Sequence, residues 1–213
     1  SNFYLSLITP YCIGTRISET FAIDLYDDVD FENHTVTINN QFLKMNRTWF
    51  LKPPKYDSYR TIKMGVTLEK ALKQAIKQRK INQIKYGPDY LKTYLMSDSS
   101  IVQMRSEIPF PYKEVIDELI DYHVEFNKEN GELLTPESFK YCSRVIHHEL
   151  GNPLFHSHCL RHTHGTILAE NGVNPKTVME RLGHKDISTT LQTYTFNTDI
   201  MQTDAVTIFE NTL

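Results

Sequence analysis

The apolar positions follow two periods, dividing the chain into a helical start, a strand-rich stretch and a long helical remainder. Phe3 to Cys12 is an apolar run predicted to be helical and to stop at Pro10, ahead of Gly14. In Arg16 to Leu25, the residues Ile17, Phe21 and Leu25 recur every four positions, the spacing of one buried helix face. The period then shortens. Thr35-Val36-Thr37-Ile38 alternates as a strand after the polar turn Glu32-Asn33-His34. Arg47 to Leu51 and Tyr59 to Met64 read as two more strands, joined in a hairpin around Pro53-Pro54-Lys55-Tyr56-Asp57-Ser58.

Helical spacing returns with Leu68, Leu72, Ala75 and Ile76, the apolar side of a lysine-covered helix. Tyr86 to Pro111 has no clear period and reads as an insertion or irregular segment. Tyr112 to Asn127 is predicted to be an amphipathic helix with Val115, Ile116, Leu119, Ile120 and Val124 inward. Pro136, in Thr135-Pro136-Glu137-Ser138, suits the first turn of a helix that runs through His148. The last third is well punctuated. A helix from about His158 to Asn171 ends at Gly172, Asn174-Pro175 opens another that Gly183 closes, and Ser188 caps a third carrying Tyr194. The pattern predicts a mixed α/β fold, mostly α-helical, with a small antiparallel three-stranded sheet.

With 213 residues and 40% hydrophobic content, the chain can bury a full core as one large domain or two small ones. Three cysteines, Cys12, Cys142 and Cys159, have no ligand-like spacing, which fits a reduced intracellular protein. No apolar run is long enough to span a bilayer and no signal peptide opens the chain, so no membrane partner is expected. The sequence starts inside an apolar segment, as if an amino-terminal part had been removed.

The net charge of −3 argues against a nucleic-acid partner until its distribution is considered. Lys44 to Lys92 holds thirteen Lys or Arg against Asp57, Glu69 and Asp89, a local +10 that leaves −13 elsewhere. Segregation of this kind builds a local field suited to a polyanion. A charge run is usually a solvated helix face; the hairpin within this block favours DNA.

Phe155 to Tyr194 carries the chemistry. It contains His158-Cys159-Leu160-Arg161, then Leu182-Gly183-His184, then Tyr194. Cations, proton donors and a hydroxyl nucleophile are what metal-free phosphodiester transfer needs. His158 and Arg161 are three apart and share a helix face. A rival reading is a metal site, because six histidines (His147, His148, His156, His158, His162 and His164) fall within eighteen residues. His158 and His162 have the i, i+4 spacing of zinc ligands. No Glu follows His158, and Arg161 between the two would repel a cation, so no metal is expected.

Upstream, Gly14-Thr15-Arg16-Ile17-Ser18-Glu19 places an arginine at a helix start with Glu19 one turn on to brace it. With Lys55 in the hairpin, the chain here resembles the tyrosine recombinases, in particular phage and conjugative-transposon integrases. The family pattern matches Arg16, Lys55, His158, Arg161, His184 and Tyr194 in order. Alone, each has a plainer reading: a helix-end salt bridge, a surface lysine, structural histidines, one of twelve tyrosines. The joint order overrides these.

The resemblance implies a catalytic domain over residues 1–213, with core-binding and arm-binding domains absent from the chain. Its activity would be site-specific DNA recombination through a 3′-phosphotyrosyl intermediate, needing neither metal nor ATP and no cofactor. Arg16 and Arg161 would grip the scissile phosphate, and Tyr194 would attack phosphorus. His158 would take or share the phenol's proton, His184 would bond the phosphate, and Lys55 would protonate the leaving 5′ oxygen. Lys52 and Lys63 lie near Lys55, and register alone does not choose among the three. Lys52, Arg60 and Lys185 are expected DNA contacts. The implied partners are double-stranded attachment-site DNA, other protomers in a tetramer, and directionality or host bending factors, all in the bacterial cytoplasm. In relatives an apolar tail such as Ala205-Val206-Thr207-Ile208-Phe209 docks on a neighbour; alternatively it packs on its own core. The other function class is a DNA-binding domain without catalysis.

Overall fold

Residues 3–105, 120–121, 127–186, 188 and 199–211 are described by the structure, a computed structural model, with backbone alone at 120–121 and 199–201. Helix α1, Tyr4–Ile13, runs through Pro10 instead of stopping there. Its buried face, Ser6, Thr9, Pro10 and Ile13, is held by packing that outweighs the one lost helix donor. It ends where Gly14 turns left-handed at φ 69° and donates its N–H to the Pro10 carbonyl.

The next helix, α2, is a single turn, Ile17–Thr20, shorter than the spacing predicts. Asp24 is one reason, since its carboxylate accepts the N–H groups of Tyr26 (2.8 Å) and Asp27 (3.2 Å) and offers the backbone an alternative to helix. Phe21 and Leu25 are both buried, as their period requires, but in two different cores. One gathers Phe21, Phe42, Leu51, Ile101, Leu134 and Phe139; the other gathers Ile13, Leu25, Val36, Ile38, Ile62, Leu68 and Leu72.

Strands β1 (Val29–Asp30), β2 (Thr35–Ile38) and β5 (Arg60–Lys63) form an antiparallel sheet in the order β1-β2-β5, with Val36 opposite Ile62. Between them in sequence, β3 (Gln41–Met45) and β4 (Thr48–Lys52) make a separate hairpin. Its turn residues, Asn46 and Arg47, both have positive φ, which matches the twist of the paired strands. The hairpin expected between Arg47–Leu51 and Tyr59–Met64 therefore does not form: β4 pairs with β3, and β5 with β2. Pro53 and Pro54, just after β4, have no N–H to continue the ladder, and the chain crosses from one sheet to the other.

Helix α3 covers Val66–Tyr86, burying Leu68, Leu72, Arg79 and Asn82. The stretch expected to be irregular is instead a second hairpin, β6 (Leu91–Leu95) with β7 (Ile101–Arg105). Thr93 and Tyr94 are adjacent and both buried, so the polar alternation that marks a half-exposed strand is missing. Ile120–Asp121 (β8) pairs with β6, so those two residues are strand, not helix. The rest of the helix predicted at 112–127 lies outside the described residues, apart from Asn127, which bridges to Leu133. The helices α4 (Phe139–Glu149), α5 (Ser157–Glu170), α6 (Pro175–Leu182) and α7 (Asp199–Glu210) follow among the described residues. Asn174 caps α6 by accepting the Lys176 N–H, and Gly183 ends it at φ 67°, as the punctuation predicts. Asp186 accepts the Ser188 N–H at 2.9 Å, and the helix expected beyond Ser188 lies outside the described residues.

Candidate active site

The α6 end meets the loop between the two sheets across an open groove of about 730 Å³, lined by Tyr56, Ser58, Arg60, Arg181, His184 and Lys185 among others. Arg16 stands at its edge. Its backbone N–H binds Glu19 Oε2 at 2.9 Å, and Nη1 binds Glu19 Oε1 at 2.6 Å. The same guanidinium reaches Ser58 Oγ at 3.4 Å through Nη1 and the Gly183 carbonyl at 3.1 Å through Nη2. The brace expected of Glu19 is present, and Glu19 is fully buried. Burial would raise its carboxyl pKa, but Arg60 and then Arg16 hold it below the ordinary value.

Arg60 has a different use from the open DNA contact expected of it. Its side chain is 7% exposed, and Nη2 binds Glu19 Oε2 at 2.7 Å. Its other N–H groups donate to the carbonyls of Ser58 (2.9 Å) and Arg181 (3.0 Å). A buried carboxylate between two guanidiniums is the stronger demand on such a side chain.

From α5, Arg161 reaches the Gly14 carbonyl through Nη1 at 2.7 Å and is 5% exposed. His158 lies one turn earlier on the exposed side of the helix. Its ring is nonetheless partly desolvated, which lowers its pKa first, followed by Arg161, His162, His156 and Arg16. His184, just past the Gly183 cap, is pushed down to about 4 by burial, then by Arg161, Arg16 and Arg60. Both arginines thus act on both histidines, so Arg16, His158, Arg161 and His184 share one electrostatic patch. Tyr194 lies outside the described residues.

Lys55 is exposed in a one-turn 3₁₀ segment, Lys55–Asp57, where Tyr56 and Asp57 both have positive φ. Its Nζ sits 4.9 Å from the Tyr56 ring centre, while Lys52 Nζ is 5.4 Å from that of Phe50. Lys63 donates to the Asn33 carbonyl at 2.6 Å, on the far end of β5. Lys185 is exposed on the groove. The basic block is dispersed: Lys44 pairs with Glu137, Lys85 with Glu129 and Lys73 with Glu69, while Lys70, Lys77 and Lys80 stand exposed on α3.

Two residues have framework roles that their sequence context did not give them. His164, 7% exposed, accepts Arg181 Nε–H at Nε2 (2.9 Å), which leaves Nδ1–H to donate to the Tyr11 carbonyl (2.8 Å). Arg181 also donates to the Cys12 carbonyl at 3.1 Å, tying α6 to α1. The available signal was the i, i+3 spacing of Arg161 and His164, which puts both on one face. In the histidine cluster, the ring centres of His158 and His162 are 6.5 Å apart, and those of His156 and His158 6.2 Å. Among the described residues, no group of three His, Cys, Asp or Glu is arranged to hold a metal ion, and no helix is long and apolar enough to cross a membrane.

The chain is 34% identical over 111 residues to the tyrosine recombinase XerC of Listeria welshimeri, covering 52% of this chain and 32% of that protein. It is 26% identical over 183 residues to the transposase of transposon Tn916 of Enterococcus faecalis, covering 85% of this chain and 39% of that one. Among solved structures, the Tn1549 transposon integrase in complex with transposon right end DNA superposes with a TM-score of 0.67 at 22% identity. That match covers 97% of this chain and 59% of the other. The XerA recombinase superposes with a TM-score of 0.61 at 15% identity, over 97% of this chain and 58% of the other. The mixed fold with small antiparallel sheets is that of these recombinases. With the phage integrase family model matching residues 7–200, the chain belongs to the phage integrase family.

Proposed function

We propose that this chain is the catalytic domain of a site-specific DNA recombinase that breaks and rejoins strands through a phosphotyrosine. The observation that carries this is the geometry in which Arg16 donates to the Gly183 carbonyl beside His184, while Arg161, one turn from His158, donates to the Gly14 carbonyl two residues before Arg16. Such a concentration of positive charge favours an anion with several oxygens, and a phosphodiester fits. Arg16 and Arg161 stabilise the charge that develops on the non-bridging oxygens. The phenol oxygen of Tyr194 forms a bond to phosphorus as the P–O5′ bond breaks. His158 accepts or shares the phenol's proton, and His184 donates a hydrogen bond to the phosphate. Lys55 gives a proton to the departing 5′ oxygen. The product is a 3′-phosphotyrosyl link with a free 5′ hydroxyl. That link retains the bond energy, so rejoining needs no ATP.

The matched parts are 32% and 39% of the lengths of the two curated relatives named above, and weak DNA binding is expected of this domain by itself. Attachment-site DNA of a mobile element in a bacterial cell is the substrate, assisted by directionality or bending factors. Val206, Ile208 and Phe209 are 62%, 66% and 63% exposed on α7, which favours docking on a neighbouring protomer, in a tetramer on DNA, over burial in their own core. The test is incubation of the intact protein with a nicked suicide substrate. A covalent protein–DNA adduct is expected, absent in Tyr194→Phe and severely reduced in Arg161→Ala. An adduct that persists in Tyr194→Phe overturns the nucleophile.

A further inference from the structure

Arg60 takes no part in the chemistry proposed above, yet it touches three of the segments that carry it, those of Arg16, Lys55 and His184. Through Glu19 it meets the segment of Arg16. Through the Arg181 carbonyl it holds the end of α6, two residues before the Gly183 turn that presents His184. Through the Ser58 carbonyl it holds the loop that carries Lys55. The Glu19 carboxylate lies between two guanidiniums: Oε1 takes Arg16 Nη1, and Oε2 takes the Arg16 backbone N–H and Arg60 Nη2. The guanidinium also lies against Gly183. A β-carbon there would come within 2.7 Å of Arg60 Nη1 and 2.9 Å of its Cζ. The glycine is therefore required twice, by its φ of 67° and by the arginine packed on it.

We infer that Arg60 is a positioning residue for the chemical step, fixing the carboxylate that aims Arg16 and the turn that presents His184. The inference rests on the catalytic reading of Arg16 and His184. Only a planar, forked cation can meet Glu19, Ser58 and Arg181 together. A lysine in its place neutralises Glu19 but cannot reach both carbonyls.

The test uses the intact protein with Arg60→Lys and Arg60→Gln. It measures single-turnover adduct formation on a nicked suicide substrate at saturating protein, alongside DNA affinity by fluorescence anisotropy. Unchanged affinity is expected, with the adduct rate reduced about 100-fold in Arg60→Gln, as for a small misplacement of reacting groups. Arg60→Lys should recover part of that loss. The pH profile supplies a readout that general loosening does not move. Glu19 is faced by the cations Arg16 and Arg60, and losing Arg60 raises its pKa. The acid side of the rate profile should then move to higher pH in Arg60→Gln.

If Arg60→Gln strands the buried Glu19 charge and fails to fold, the paired substitution Glu19→Gln with Arg60→Gln removes both charges. That variant should fold, bind DNA and still form adduct slowly. Wild-type rates in Arg60→Lys and in the foldable glutamine variant overturn the inference, as does a rate loss matched by lost affinity. The control is Arg16→Ala. If it keeps the wild-type rate, the catalytic reading fails; if it is inactive while the Arg60 variants are normal, only the positioning role fails.

Discussion

Arg16 donates through Nη2 to the carbonyl of Gly183 at 3.1 Å, across 167 positions of sequence. Arg161 makes the reciprocal link by donating to the Gly14 carbonyl, two residues before Arg16. The amino-terminal and carboxy-terminal parts of the site are thus cross-linked through main-chain oxygens. Neither half can shift without disturbing the other.

Gly14→Ala should destabilise the protein sharply. Gly14 has φ 69°, and a β-carbon there would lie 2.7 Å from both His164 Cδ2 and Leu182 Cδ2. A left-handed alanine costs about 1–2 kcal/mol, and overpacking adds about 1–3 kcal/mol. Urea denaturation should show the midpoint falling with little change in slope.

Stability should fall in mild acid because of His164. Burial first, then Arg181, lowers its pKa from 6.5 to about 4, against the raising effect of the Tyr11 carbonyl. Below pH 6.5 the unfolded chain takes up this proton and the folded one does not. Stability is therefore present above 6.5, lost as pH falls to about 4, and level below that. The loss from this residue is about 3 kcal/mol at most. Urea melts at pH 7 and pH 4.5 should show it, and His164→Asn should remove its share of the slope. An equal slope in that variant would contradict the buried neutral imidazole.

Anion binding should raise the pKa of His184. Burial, Arg161, Arg16 and Arg60 push it to about 4 in the free protein. A phosphodiester on the two proposed gripping arginines offsets their field and favours the imidazolium. An NMR titration of the ring with and without a short DNA duplex should show an upward shift. No shift, despite binding, would place the phosphate elsewhere.

Lys55 and Lys52 can be separated by the leaving group. Lys55→Ala should slow adduct formation on ordinary DNA by about 10²–10⁴-fold, the range for a lost general acid. Sulfur in place of the bridging 5′ oxygen leaves as a thiolate and needs no proton, so it should restore the rate. Lys52→Ala should behave like wild type on both substrates. The reverse pattern would reassign the acid to Lys52.

The sequence by itself determined the elements that depend on neighbours along the chain. Gly183 stops α6 because its left-handed backbone caps the helix there, and Asn174-Pro175 opens α6 by local hydrogen bonding. The order Arg16, Lys55, His158, Arg161, His184 and Tyr194 was legible for the same reason, as a string of residue types at set spacings. Tertiary structure alone decided who pairs with whom. Alternation marked β4 and β5 as strands but could not show that each joins a different sheet, because strand pairing is set by distant partners. The use of Arg60 and His164 was hidden more deeply. Their partners are a buried carboxylate and main-chain carbonyls from remote segments, and a carbonyl carries no mark of residue type in the sequence. Local chemistry writes itself into the order of residues; the framework that aims it exists only once the chain has folded back on itself.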